Sequence, residues 1–267
     1  MLEIIKSNIN TLENIKNESQ NLIYEGQPIP YFGNLSTAKI ATLGLNPSDK
    51  EFYCDNHNEL EKHSRRFETL SSLNLNNWAS AKKNNLDSIK KCMDQYFKNN
   101  PYKRWFNQLD NLFNESGYSY YNNTACHIDL IPYATRNKWS SLKGNEQNFL
   151  INASQEELKN CIENSEISTL ILNGSSVIQG LLKSYDVTLK KEEVKDWQIQ
   201  TKKGVISGFK FTGKLRINSE RDISILGFNY NLQSSFGLSK NIKNSIKAWI
   251  SSELEKNRMC NEPLRKN

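Results

Sequence analysis

A chain of 267 residues with 11 Tyr, 11 Phe and 5 Trp is long enough and aromatic enough for one large domain with a sizeable core, which excludes a disordered protein. Thirty-five Lys and Arg against 29 Asp and Glu leave a formal charge of +6, a sign compatible with a polyanionic partner but short of a nucleic-acid signature. Glu3, Lys6, Glu13 and Lys16 break up the apolar residues of Met1 to Tyr24, so no signal peptide fits; no stretch approaches the roughly 18 apolar residues of a membrane span, and a cytoplasmic location is the default.

The five cysteines, Cys54, Cys92, Cys126, Cys161 and Cys260, form no CxxC pair, and the three histidines complete no metal pattern, so reduced thiols and no metal are expected. Leu2, Ile5, Ile9, Leu12 and Ile15 recur at helical spacing and predict an amphipathic first helix within residues 1–25. Pro28 and Pro30 make the approach to Asn34 extended and turn-rich.

Ile40 to Leu43 is a short β-branched and apolar run that stops at Gly44 and leads into Asn46 and Pro47. It reads as a buried parallel strand ending in a rigid loop. In open α/β sheets the ligand crevice lies outside the carboxyl ends of strands, which makes Asn46 a site candidate; an ordinary strand-to-loop turn is the competing reading.

Asp49 to Asn100 is the least regular stretch. Arg65-Arg66, Lys82-Lys83 and Lys90-Lys91 alternate there with Phe52, Tyr53, Phe67 and Trp78, a mixture that suits either a phosphate track with stacking platforms or a solvated helix face. Tyr102 to Phe113 predicts a helix ending near Gly117. Tyr118 to Asp129 reads as a second strand, which places His127 and Asp129 on one face because side chains alternate with period two.

Ser154 and Glu157 fit a capping box, and Ile167 to Leu172 is a third buried strand that ends in Asn173-Gly174-Ser175 before a helix. The absence of a GxGxxG or P-loop lysine there excludes dinucleotide and nucleoside-triphosphate readings. Residues 187–217 predict a hairpin across Lys202-Lys203-Gly204, inserted before a fourth strand at Ile223 to Leu226. A long loop to Ser239 precedes a closing helix with Ile242, Ile246, Trp249 and Ile250, capped by Ser239. Residues 1–256 therefore form one domain, and 257–267 a loose tail.

Taken together, Gly44-Leu45-Asn46-Pro47-Ser48, the strand ending in His127-Ile128-Asp129, the strand ending in Asn173-Gly174-Ser175 and the late Gly237-Leu238-Ser239 resemble the uracil-DNA glycosylase superfamily over roughly residues 29–254. The first motif is similar to that of the mismatch-specific and single-strand-selective branches, with Phe52 where an aromatic stacks on the base. The resemblance implies an α/β fold, a three-layer αβα sandwich around a four-stranded, mostly parallel sheet, here carrying the inserted hairpin. It also implies a monofunctional DNA glycosylase, acting without a cofactor, that flips a uracil-type pyrimidine or modified cytosine out of DNA and leaves an abasic site. Such a protein would act as a monomer on DNA, in repair or in antiviral defence.

By that resemblance Asn46 positions the attacking water, His127 and Asp129 serve the reacting base, and Gly44, Leu45, Pro47, Ser48, Phe52 and Asn173 shape the pocket. Phe236 or Leu238 would wedge into the base stack, while Ser234, Ser235 and Ser239 face phosphates. Packing of the loop on the closing helix accounts for Phe236 and Leu238 equally well. Two features depart from the family: Gln233-Ser234-Ser235-Phe236 stands where a His-Pro-Ser or Asn-Pro-Ser motif usually opens the late loop, and the clustered cysteines of iron-sulfur branches are absent. Three other readings stay open: an antiphage glycosylase that excises glucosylated hydroxymethylcytosine from viral DNA, a catalytically inactive DNA-binding module of the same fold, and an enzyme acting on free nucleosides.

Overall fold

Four short runs with apolar residues on both faces become the centre of a parallel sheet, because only burial on both sides satisfies them. The computed structural model describes residues 1–202 and 204–261. Its first half runs α1 (Leu2–Ile15), β1 (Tyr31–Phe32), β2 (Ile40–Gly44), α2 (Lys83–Asp94), α3 (Lys103–Asp110) and β3 (Ala125–Asp129). The second half runs α4 (Gly144–Ala153), α5 (Glu157–Glu163), β4 (Thr169–Asn173), α6 (Ser175–Ser184), β5 (Leu189–Thr201), β6 (Gly204–Arg216), β7 (Asp222–Phe228) and α7 (Lys240–Asn261).

The protein is mixed α/β, with one seven-stranded sheet in the order β1-β3-β2-β4-β7-β6-β5. Strands β3, β2, β4 and β7 are parallel to one another, while β1, β6 and β5 join antiparallel. The expected four-stranded sheet is thus the middle of a wider one. The inserted hairpin supplies part of the difference: β6 pairs with β7 from Arg216↔Asp222 to Lys210↔Phe228, so the hairpin extends the sheet over an edge that would otherwise offer unpaired backbone groups. At the other edge Tyr31 and Phe32 pair with Ile128 and His127, and Pro30 is tolerated because it only leads into an edge strand.

Helices cover both sides of this sheet. Gly180 of α6 lies so close under Leu45 and Leu130 that a Cβ would sit 2.9 and 2.8 Å from their methyl carbons. On the opposite face the Phe106 ring of α3 stands edge-on to His127, and Lys243 Nζ of α7 donates to Gln108 Oε1 of α3 at 2.9 Å.

Several local readings are corrected. The second strand begins only at Ala125, since Asn122 and Thr124 side chains bond nearby backbone and compete with a ladder: Thr124 N–H donates to Asn122 Oδ1 at 3.0 Å, and Ser119 N–H donates to Thr124 Oγ1 at 2.9 Å. Ser154 and Glu157 form no capping box; Ser154 is buried at the end of α4, and Glu157 accepts a hydrogen bond from Asn8 Nδ2 of α1 at 2.5 Å. Part of the expected tail is helical, since Leu254 is buried and Asn257 Nδ2 donates to Thr169 Oγ1 at 3.3 Å. Residues 262–267 of that tail, and Lys203 at the hairpin turn, lie outside the described residues.

The hairpin is pinned to the body by Trp197. Its ring is 1% exposed, its Nε1–H donates to Ser245 Oγ of α7 at 3.0 Å, and it meets Trp249 edge-on at 5.6 Å. Gly208 on the paired strand has no room for a side chain, because a Cβ would lie 2.2 Å from Trp197 Cβ. Trp197→Ala is expected to cost about 3–5 kcal/mol of stability, the range for truncating a buried aromatic. A urea midpoint unchanged from the parent protein would show that the hairpin docks by other means.

Candidate functional site

Adjacent strands β2 and β3 bring four side-chain positions to one place. Register pairs Thr42 with His127 and Gly44 with Asp129, so all four face the same side. Gly44 has no freedom to be anything larger: a Cβ there would stand 2.1 Å from Asp129 Oδ1 and 2.8 Å from His127 Nε2. The two β3 side chains close over the bare backbone of β2.

Their hydrogen bonds fix the protons. His127 Nε2 lies 3.3 Å from Asp129 Oδ1, and His127 Nδ1 lies 2.7 Å from Thr42 Oγ1, which also bonds Tyr120 Oη. Burial raises the Tyr120 phenol far above its ordinary range, so it remains a donor, and Thr42 is its hydrogen-bond partner among the described residues. With Tyr120 donating to Thr42 and Thr42 donating to Nδ1, the Nε2 side of the ring faces the Asp129 carboxylate. Phe32 and Phe106 stand edge-on to the ring at 5.4 and 5.3 Å, and Thr42, Tyr120, His127 and Asp129 are all buried.

Asn46 sits just past the end of β2, half-buried, with its carboxamide orientation set by its neighbours. Thr135 Oγ1 gives its proton to Asn137 O at 2.8 Å and so must accept from Asn46 Nδ2 at 2.9 Å. Pro47 O and Tyr133 O, acceptors only, lie 3.2 and 3.4 Å from the same nitrogen. The amide nitrogen is consumed inward, leaving Oδ1 as the end available to a ligand or a water.

The remaining candidates divide. Leu45 packs on Gly180, Pro47 is buried, and Ser48 accepts from Lys50 N–H at 3.2 Å, capping the short turn Asp49–Glu51. Asn173 does not point an open amide at the site: Oδ1 accepts from Leu232 N–H at 3.1 Å and Nδ2 donates to Gln233 Oε1 at 2.8 Å, tying the end of β4 to the late loop. Phe52 is a correction. It is 2% exposed, lies against Gly26 and tilts on Phe67 at 6.2 Å, so it offers no free face for stacking.

Phe67 and Trp78 are likewise buried, and Arg66 donates to the carbonyls of Lys50 and Asn100. Phe52, Phe67 and Trp78 are therefore core side chains and not stacking platforms, while Lys82, Lys83 and Lys91 are exposed at α2, as on a solvated helix face.

In the late loop Phe236 is 93% exposed, next to Gly237 at φ +78°, a backbone that favours glycine. Ser234 N–H donates to Asn231 Oδ1 at 3.0 Å, and Ser235 Oγ accepts from Asn231 N–H at 2.8 Å, so the loop is self-bonded. Leu238 packs partly on the core, and Ser239 Oγ accepts from Ile242 N–H at 3.2 Å as the cap of α7.

Thr42, Tyr120 and Thr135 escaped sequence reading, although Thr42 stands in the expected strand two positions before Gly44, on the same face. Glu51 escaped too. It is 3% exposed, and Tyr96 Oη–H donates to its Oε2 at 2.8 Å while accepting Tyr102 N–H at 3.0 Å. Burial pushes the Glu51 carboxyl up to about 7; Arg66 and the Tyr96 bond oppose this, and the charges of Asp129 and Asp49 reinforce it.

Among the described residues no group of three or more His, Cys, Asp or Glu could hold a metal ion, and no helix is long and apolar enough to cross a membrane. An open depression of about 570 Å³ on the outer side of α3, lined by Lys103, Asn107, Asn111 and Tyr121 among others, is separate from the strand-end cluster. Neither a family model nor a curated protein matches the chain.

Two outcomes follow from this geometry. Gly44→Ala must displace Asp129 or His127 and is expected to cost about 1–3 kcal/mol, as overpacking does; a urea midpoint within error of the parent would show that the pair does not rest on Gly44. Because the Glu51 carboxyl ionises near 4.5 unfolded but near 7 folded, the folded protein holds the extra proton between those values. This group's contribution to stability therefore falls as pH rises from about 4.5 to 7. Glu51→Gln is expected to flatten that part of the stability curve, and an unchanged pH dependence would contradict it.

Proposed function

We propose that this chain is a monofunctional DNA glycosylase that hydrolyses the N-glycosidic bond of a flipped pyrimidine, of uracil or modified-cytosine type, and leaves an abasic site. The observation that carries the reading is the placement of Asn46, its amide nitrogen bonded inward, just past the end of β2, beside the parallel strand β3 whose end carries the bonded His127 and Asp129. The order of these groups along the chain is that of the superfamily its motifs resemble, and helices on both faces of the sheet suit the three-layer arrangement that resemblance implies.

Chemistry inside a duplex needs the nucleotide turned out, at a cost of about a few kcal/mol. Phe236 offers a large apolar side chain free of packing, suited to fill the gap left in the stack. The sugar passes through an oxocarbenium-like state, so the site must hold a water and receive an anionic base. Asn46 Oδ1 holds the water. The His127 Nε2–H, loosely held on Asp129 at 3.3 Å, is the donor for the departing base, and the ring needs no charge to serve. The side chains gathered here include no amine nucleophile, which suits simple hydrolysis without strand cleavage.

Asn46→Ala is expected to lower base release about 10²-fold or more while leaving DNA affinity within threefold, because a misplaced water is lost to the reaction but not to binding. Release and binding are read on one oligonucleotide by alkaline cleavage and fluorescence anisotropy. Near-normal release by the variant would sink the reading. Salt-sensitive binding with no release by the parent protein would favour a non-catalytic DNA-binding module.

A further inference from the structure

Of the six large apolar side chains exposed among the described residues, three fall on two segments that the fold joins: Val205 and Ile206 near the tip of the β5–β6 hairpin, 53% and 47% exposed, and Phe236 in the late loop. Ile206 pairs directly with Ile199, and a Cβ on Gly237 would lie 2.9 Å from Ile199 Cγ2, so the loop meets the hairpin one residue after Phe236. The joint is bonded as well as packed. Tyr230 Oη–H donates to Trp197 O at 2.7 Å and lies 3.2 Å from Ile206 O, while Asn229 donates from Nδ2 to Ser207 O at 3.0 Å and accepts Phe209 N–H at 2.7 Å. The residues that open the late loop thus hold the hairpin.

Sheet extension does not account for this tip. Pairing of β6 with β7 stops at Lys210↔Phe228, so residues 199–206 overhang the carboxyl end of β7, at the same end of the sheet as Asn173 and Asp129. An apolar cluster on such an overhang marks an interaction surface, and charge says with what. Residues 197–219 and 223–252, the two stretches that build this surface, contain five and three Lys or Arg and no Asp or Glu, in a chain with 29 Asp and Glu. Lys210 and Lys247 are paired with Glu192 and Glu115 from outside these stretches, at 3.2 and 2.7 Å. Lys202 and Lys240 are exposed and form no ion pair among the described residues.

We propose that the hairpin tip is a second DNA-contacting element, laid along the duplex beside the nucleotide next to Phe236. The proposal rests on the reading that this chain acts on DNA. Val205 and Ile206 pack against the sugars and base edges of the minor groove, as apolar side chains do there, and Lys202 and Lys240 meet phosphates on either side of them. Unpaired cations around apolar side chains, with no carboxylate in either segment, suit a polyanion and disfavour an acid-seeking basic partner. The inserted hairpin thereby adds contact length to a loop that alone offers one wedge.

The test is fluorescence anisotropy with a labelled duplex carrying one abasic site, titrated over a series of salt concentrations. It compares the parent protein with two double variants, Val205→Ser with Ile206→Ser and Lys202→Ala with Lys240→Ala, their folding checked by circular dichroism. All four side chains are exposed, so both variants are expected to fold. The apolar double variant is expected to bind about tenfold more weakly with the parent's salt slope. The lysine double variant is expected to lose about two from the slope of log affinity against log salt, roughly one per phosphate contact.

Parent-like affinity in the apolar variant, or an unchanged salt slope in the lysine variant, overturns the assignment and leaves the glycosylase reading intact. A parent dimer in analytical ultracentrifugation that the apolar variant abolishes, with DNA affinity unchanged, gives the tip to a second copy of this chain and overturns it as well. No binding of duplex or single strand by the parent protein defeats the DNA reading itself, and this inference with it.

Discussion

The site depends on one steric fact: the strand β2 ends in a residue without a side chain, and two ionisable groups of β3 occupy the space. Any Cβ at Gly44 would overlap Asp129 and crowd His127. Because the pair is buried, its polar atoms need partners, and Thr42, itself bonded to Tyr120, supplies one for Nδ1. A half-satisfied version of this string would be costly.

The surrounding aromatics help to bury the cluster. Phe32, Phe106, Tyr96 and Phe97 meet at ring-centroid distances between 5.0 and 5.5 Å, mostly edge to face. This apolar wall gives each carboxyl behind it a different fate. Asp129 faces His127 Nε2, whereas the Glu51 carboxyl, bonded by Tyr96, is pushed up by burial. Asn173 and Gln233 connect the same region to the exposed Phe236, so the loop that would meet DNA is anchored on a strand end of the central sheet.

What the sequence made legible was local. The parallel strands announce themselves by short apolar runs between turn residues, and their polar ends announce Asn46, His127 and Asp129. The hidden parts are those decided by distant partners. Phe52, Phe67 and Trp78 stand in a polar, basic stretch and look like surface platforms, yet the stretch folds back so that they fill the core. Glu157 matches a capping pattern, but Asn8 of the first helix claims it. Glu51 lies among charged residues with nothing to mark it as buried; only the approach of Tyr96 makes it special. The two-residue strand β1 was masked by its prolines, and the hairpin's role as sheet extension depends on an open edge that no local pattern reveals.

The most direct measurement is mass-spectrometric detection of free base after incubating the protein with duplex and single-stranded oligonucleotides. The panel carries uracil, mismatched thymine, hydroxymethylcytosine or glucosylated hydroxymethylcytosine. The account predicts release of one class of pyrimidine, with an intact phosphodiester backbone and one alkali-labile site per base released. Intact bases on every substrate, with the protein folded and bound to the DNA, would contradict it.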